Sequence, residues 1–152
     1  MSHWLQGRLD NLVCSLDKMR TAIINVMPEW EGHVEVSPEG NIEIYNNFTR
    51  ETKKGYHIRV PQNQELGISY GDFALKQLGD GSWHIEYDPG GLPQAIRNAP
   101  NALKDEIQAM RTREIASQNG IQIIEDSRSK KGIKQRLRMT PDQIENFVRQ
   151  MQ

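Results

Sequence analysis

The hydrophobic period of the chain changes abruptly at Asn119-Gly120, and this change limits the fold more than any other feature. Ahead of it, Leu103, Ile107 and Met110 recur at helical spacing behind Asn98, a residue suited to an N-cap, and Pro100, placed where a first-turn proline loses no needed hydrogen bond. The spacing predicts a helix over 100–118, closed by the left-handed residue that helix C-caps favour. Beyond it, Ile121-Gln122-Ile123-Ile124-Glu125 is short and β-branched and predicts a strand. Ser127 to Gly132 is polar and predicts an exposed hairpin loop. In the next strand Ile133, Leu137 and Met139 alternate with Lys134, Arg136 and Arg138, with Gln135 the polar member of the inward series. Such a period of two packs one face on a core and leaves the other to solvent. Thr140-Pro141-Asp142-Gln143 then supplies an N-cap, a first-turn proline and a capping-box glutamine, predicting a final helix with the apolar stripe Ile144, Phe147, Val148, Met151.

The front of the chain repeats this plan more loosely. Ser2 to Arg8 predicts a short strand, and Asp10 or Asn11 can cap a helix running to Met27, where Pro28 stops it. Trp30 to Asn46 reads as a hairpin, with Val34, Val36, Ile42 and Ile44 alternating about the turn residues Ser37-Pro38-Glu39-Gly40-Asn41. Asn46 to Gly55 reads as a polar loop. Strands are predicted at Tyr56–Val60, at Gly67–Leu78 with a break near Gly71-Asp72, and at Trp83–Tyr87. The expectation is one α+β domain over residues 1–152. Its antiparallel sheet would have six to eight strands, with the two main helices on one face and the amphipathic helix 140–152 at the end. Segments 1–46 and 98–139 share the order helix, strand, turn, strand and form candidate related halves.

Composition narrows the function classes. A net charge of −1 with 26% charged residues suggests, overall, neither a nucleic-acid protein nor a disordered acidic tail. The single cysteine, Cys14, excludes an intramolecular disulfide and a multi-cysteine zinc site. No apolar run approaches the roughly 20 residues of a spanning helix, and no basic start leads into an apolar run, so a cytoplasmic protein without a membrane partner is expected.

Three constellations carry candidate chemistry. The strongest charge asymmetry is the basic ridge Arg128, Lys130, Lys131, Lys134, Arg136 and Arg138, which could contact a protein, a nucleic acid or a small anionic ligand. Against it stands the ordinary reading of a solvated strand face. The Gly90-Gly91 turn, following Asp88-Pro89, is a second candidate ligand loop, although it lacks the residues of a phosphate-binding P-loop. The third places His57, His84 and Glu86, with Glu35, Glu43 and Arg59, on one outer sheet face, where they could hold a divalent metal or act as an acid/base pair. Their spacing fits no ligand motif, and charged residues populate the wet face of any antiparallel sheet. No catalytic residue and no cofactor is assigned.

Several segments in order resemble one family. They are the opening Met1-Ser2-His3-aromatic, the strands Tyr56-His57-Ile58-Arg59-Val60 and Leu66-Gly67-Ile68-Ser69-Tyr70, and the strand Gly81-Ser82-Trp83-His84-Ile85-Glu86. The segment from Ile115 to Ile124 and the strand 133–138 complete the match. Together they resemble the hypothetical chloroplast reading frame thirty-five family of plastids, cyanobacteria and other bacteria. The helix 141–151 and the loop 46–55 depart from its pattern. The resemblance implies the same α+β fold and a cytosolic or organellar setting. It also implies, through the family's neighbourhood with ring-forming ATPase genes, a partner-protein role. It transfers no catalytic residue. The expected function is a small non-enzymatic binding or adaptor protein acting through the basic hairpin. A sequestering module for a small anion such as a nucleotide is the alternative, and a metal-dependent enzyme a third reading. A homo-oligomer docked through the final helix is also compatible with the pattern.

Overall fold

The computed structural model describes residues 5–9, 12–47 and 49–152, which gather into two compact units, Met1–Lys104 and Asp105–Gln152. The first holds β1 (Leu5–Leu9), α1 (Leu16–Val26), β2 (Glu35–Val36), β3 (Ile42–Tyr45), β4 (Thr52–Tyr56), β5 (Ile58–Val60), β6 (Phe73–Gln77) and β7 (Trp83–Tyr87). The long helix α2 (Ala99–Gln118) carries the chain into the second, which holds β8 (Gln122–Ser129), β9 (Gly132–Arg138) and α3 (Pro141–Met151). The division falls inside α2, where an uninterrupted helical period gives no sign of it; the sequence there reads as one domain. The α+β class is the expected one. The strands, however, are shared between a five-stranded sheet and two two-stranded sheets instead of forming one.

The five-stranded sheet is antiparallel in the order β1-β7-β6-β5-β2. Its register sets Ile58, Leu75 and Ile85 abreast, with Phe73 and Trp83 two positions along on the same face, and all five are fully buried. Trp30 meets Phe73 edge to face at 5.3 Å between ring centres and donates its indole N–H to Leu66 O. Helix α1 buries Met19, Ala22, Ile23 and Val26. Its entry is tied down by Cys14, whose carbonyl accepts from Trp83 Nε1 and Gln77 Nε2, both at 3.1 Å. Ser15 caps α1 through its hydroxyl, so the helix begins at Leu16. The expected caps Asp10 and Asn11 lie outside the described residues, as does the opening Met1-Ser2-His3-Trp4.

The hairpin expected between Trp30 and Asn46 does not form. Glu35 and Val36 pair with Arg59 and Ile58, whereas Ile42, Ile44 and Tyr45 pair with Tyr56, Lys53 and Thr52. Residues 35–45 therefore run antiparallel to 52–59 as one ribbon, and 37–41 bulge out opposite His57 alone. The turn chemistry there is real: Gly40 N donates to Ser37 O and Asn41 N to Ser37 Oγ. But Ser37 N also donates to His57 O at 2.8 Å, so the chain leaves the ribbon and returns to the same partner strand. Gly40, at φ +69°, lies so close that a Cβ would stand 2.6 Å from His57 Nε2. The ribbon reverses instead at 46–51, where Asn46 N donates to Glu51 O and Arg50 adopts φ 61°. Residues 52–55 of the expected polar loop thus belong to strand β4.

The outer half of this ribbon, β3–β4, covers the second face of the main sheet. Ile44 and Tyr56 pack with Ala74 there, all buried. Buried Asp72 holds the ribbon by accepting from Tyr45 N at 2.8 Å, Arg59 Nε at 2.9 Å and Gln62 N at 2.9 Å.

In the second unit β8 and β9 form a true hairpin reversing at Lys130-Lys131, with Ser129 opposite Gly132 (φ +118°). The expected loop 127–132 contracts to this tight turn. Thr140 and Gln143 make both bonds of the capping box that starts α3. Only the second of the two candidate related segments is a closed helix-hairpin unit; the first shares its element order and not its pairing.

Candidate functional site

The β8–β9 register sorts the basic ridge into two populations. Arg138 faces Gln122, Arg136 faces Glu125, and Lys134 faces Ser127, so these three cations lie on one face of the ribbon. All three are exposed, Lys134 at 69% and Arg136 at 61% of the side chain. Lys130 and Lys131 stand exposed at the turn. Glu125 lies among them, 3.5 Å from Arg136 and 3.9 Å from Lys134, weak surface pairs in high dielectric. The opposite face carries Ile123, Ile133, Gln135 and Leu137, all half-buried, and Gln135 Nε2 donates to Ala109 O at 3.2 Å.

Arg128, the sixth member of the expected ridge, belongs to that second face, opposite Ile133. Its guanidinium donates to Glu106 Oε1 at 2.7 Å, and Glu106 is fully buried on α2. Arg113 donates to both oxygens of Glu106 at 3.3 Å and forks onto Asp126 at 2.6 and 3.1 Å. The Arg113 fork holds the Asp126 carboxyl below the usual carboxylate range despite partial burial. Two arginines and two carboxylates thus neutralise one another, and Arg128 is a structural cation. The ladder runs unbroken from the Glu125–Arg136 pair to the Ser129–Gly132 pair, and it is this turn register that sets Arg128 opposite Ile133 and away from Lys134. No local pattern marks Glu106 as its partner.

The outer sheet face in the first unit does collect Glu35, Arg59, His84 and Glu86, but only Glu35 among them is exposed. Glu86 is buried beneath β4, and one of its oxygens, Oε1, accepts from Tyr56 Oη at 2.5 Å and Lys53 Nζ at 3.1 Å, with His84 Nε2 also at 3.1 Å. Burial pushes the Glu86 carboxyl up, and these three partners outweigh it, leaving the group below the usual range. The Tyr56 hydroxyl is pushed well up by burial and by Glu86. Lys76 lies over the Tyr56 ring at 5.3 Å.

His57 does not join this group. It sits in the gap between β4 and β5 with its ring edge-on to Trp83, which faces the main core, while His84 next along β7 points the other way. Its Nδ1 accepts from Gln77 N at 3.0 Å, and burial, then Lys76, lowers its pKa. The metal set His57, His84 and Glu86 is thereby split between faces. Among the described residues no three His, Cys, Asp or Glu side chains gather to hold a metal ion.

The Gly90-Gly91 loop has a packing role. Gly90 N donates to Asp88 Oδ1 and Gly91 N to Asp88 O, while Gly91 O accepts from Ser69 N. A Cβ on buried Gly91 would lie 2.7 Å from the Tyr70 ring and 3.0 Å from Tyr70 N. The turn's amides are committed to the chain itself, and the close approach of Tyr70 is what requires glycine at position 91.

A groove of about 340 Å³ opens in the second unit, lined by Asp105, Thr112, Lys131, Ile133, Gln135 and Met151 among others. Helix α3 is fastened to the end of α2 by Arg111 Nη2 donating to Gln150 O and Asn119 Nδ2 donating to Gln150 Oε1. Its Ile144 and Val148 stay exposed at 47% and 50%, so much of the expected stripe is not covered within the chain. No helix among the described residues is long and apolar enough to cross a membrane. No protein-family model, curated protein or solved structure matches the chain.

Proposed function

We propose that this protein is a small non-enzymatic binding module that contacts an anionic macromolecular partner through one face of the β8–β9 ribbon. The observation that carries the proposal is the exposed row of Lys134, Arg136 and Arg138, continued by Lys130 and Lys131, with Glu125 as its one carboxylate. Charge is also distributed unevenly: residues 105–152 hold nine Lys and Arg against seven Asp and Glu, whereas 1–104 hold ten against thirteen. A basic surface on such a unit raises the encounter rate with a polyanion and makes binding salt-dependent. The resemblance to the plastid reading-frame family supports the same role, with an acidic face of a ring-forming ATPase as one form the partner could take. Self-association through the exposed Ile144 and Val148 of α3 is compatible with it. The test uses heparin as polyanion probe. Lys134→Glu with Arg136→Glu and Arg138→Glu should remove retention of the full-length protein at low salt while leaving its circular dichroism unchanged. Retention equal to that of the parent protein would sink the proposal.

A second reading, capture of a small anion, is favoured by the groove beside Lys131. Native mass spectrometry of the untagged protein tests it. A co-purifying anion lost in Lys131→Glu supports this reading, and a clean apo mass after gentle purification counts against it.

A further inference from the structure

We infer that the polyanion suited to this ribbon is duplex DNA, with the hairpin entering the major groove; the inference rests on the reading proposed above and specifies its partner. Four features of the face select it. First, Lys134, Arg136 and Arg138 follow one another at two-residue steps of about 6.6 Å along β9. A regular row of charge is the complement of a regular row of phosphates, whereas carboxylates on a folded protein are placed irregularly. Second, the cations are interleaved with short polar groups, Gln122, Ser127 and Ser129, all exposed on the same face and able to bond phosphate oxygens or base edges. Third, that face offers no aromatic or aliphatic anchor; the only exposed apolar side chain of the ribbon is the bulged Ile124, far from the turn. Stable protein interfaces are centred on such anchors, and single-strand binding faces stack bases on aromatics. Fourth, the hairpin is two strands wide and seven to eight residues long, and ends in Lys130-Lys131. A two-stranded ribbon fits the major groove of B-form DNA, about 12 Å wide, but not the deep, narrow major groove of duplex RNA. Arg128 takes no part, because it is spent on Glu106.

The measurement is fluorescence anisotropy of the full-length protein with a labelled DNA duplex, the RNA duplex of the same sequence, and labelled poly-glutamate, across a salt series. Five phosphate contacts predict a slope of log K against log salt of about −4.5, and Lys134→Ala/Arg136→Ala/Arg138→Ala should flatten it to about −1.8. RNA should bind roughly fivefold or more below DNA if the ribbon occupies the groove. Equal DNA and RNA affinities, or a slope unmoved by the triple substitution, would overturn the inference. Binding of poly-glutamate through the ribbon without binding of the duplex would overturn it too, while leaving the proposed function standing. Failure of both polyanions to bind at low salt would remove both.

Discussion

The chain contains two β-ribbons of similar length and opposite fate. Residues 35–45 against 52–59 form a ribbon interrupted by a five-residue bulge, and its β3–β4 half is sealed onto the main sheet by Ile44, Tyr56 and Ala74. Residues 122–138 form a ribbon with a tight turn and one face of exposed cations. Both show period-two alternation of charge and apolar side chains. The pattern says which residues share a face. Whether that face meets water depends on what the rest of the chain lays over it. In the first ribbon Lys53 and Arg59 are held by buried Glu86 and Asp72; in the second Lys134, Arg136 and Arg138 are available to a partner.

Substitutions should separate the two ribbons by what they cost. The largest effect is expected at Glu86→Ala, which strips Tyr56, Lys53 and His84 of a shared buried acceptor. Urea unfolding should register a loss of about 3 kcal/mol, because the abandoned donors keep their desolvation cost. A loss below about 1 kcal/mol would mean that β4 is not sealed over the sheet. Gly40→Ala comes next: a strained positive φ combined with a Cβ driven into the His57 ring should cost about 2 kcal/mol. The matching Gly132→Ala meets no atom within 4 Å and should cost about half as much. Equal costs would erase the distinction between the bulge and the open turn.

A smaller effect is expected from His57. In the folded chain its imidazole is neutral and accepts from Gln77 N, and its pKa lies below the ordinary value near 6.5. The unfolded chain therefore binds more protons in that window, so stability should fall as pH drops from about 6.5 toward the folded value. The step should be under about 1 kcal/mol, since the ring is only partly buried, and it should vanish in His57→Gln. A stability curve identical in the variant would remove His57 from the account. Smallest of all, the alanine triple at Lys134, Arg136 and Arg138 should change stability by less than about 0.5 kcal/mol, as surface charges do.

Much of the second unit was legible because its signals are local. The capping box at Thr140 and Gln143, the Asn119-Gly120 stop and the alternation of β9 each act within a few residues, and each appears where expected. In the first unit Trp83–Tyr87 was found at its observed limits, but the expected strand Gly67–Leu78 shortens to Phe73–Gln77, most of β4 was read as loop, and the pairing was not legible. Ser37-Pro38-Glu39-Gly40-Asn41 carries genuine turn chemistry, yet the partner that decides between hairpin and bulge is His57, sixteen residues beyond Asn41. The site divides in the same way. Lys134, Arg136 and Arg138 could be assigned to one face from their spacing. Removing Arg128 from the ridge required Glu106, a residue 22 positions away with no local mark of burial. The Gly90-Gly91 turn and the His57, His84, Glu86 set were plausible by composition; long-range packing against Tyr70 and Trp83 gives them other roles.

The contrast between Lys134, Arg136 and Arg138, exposed on the second ribbon, and Lys53 and Arg59 of the first, held by buried Glu86 and Asp72, is tested most directly by amide NMR of the isotopically labelled protein titrated with a short polyphosphate. Shifts concentrated at Ser127–Arg138, with Ile42–His57 unmoved, are the predicted result. Shifts centred on Lys53, Tyr56 and His84, or none along β9 at saturating polyphosphate in low salt, would contradict it.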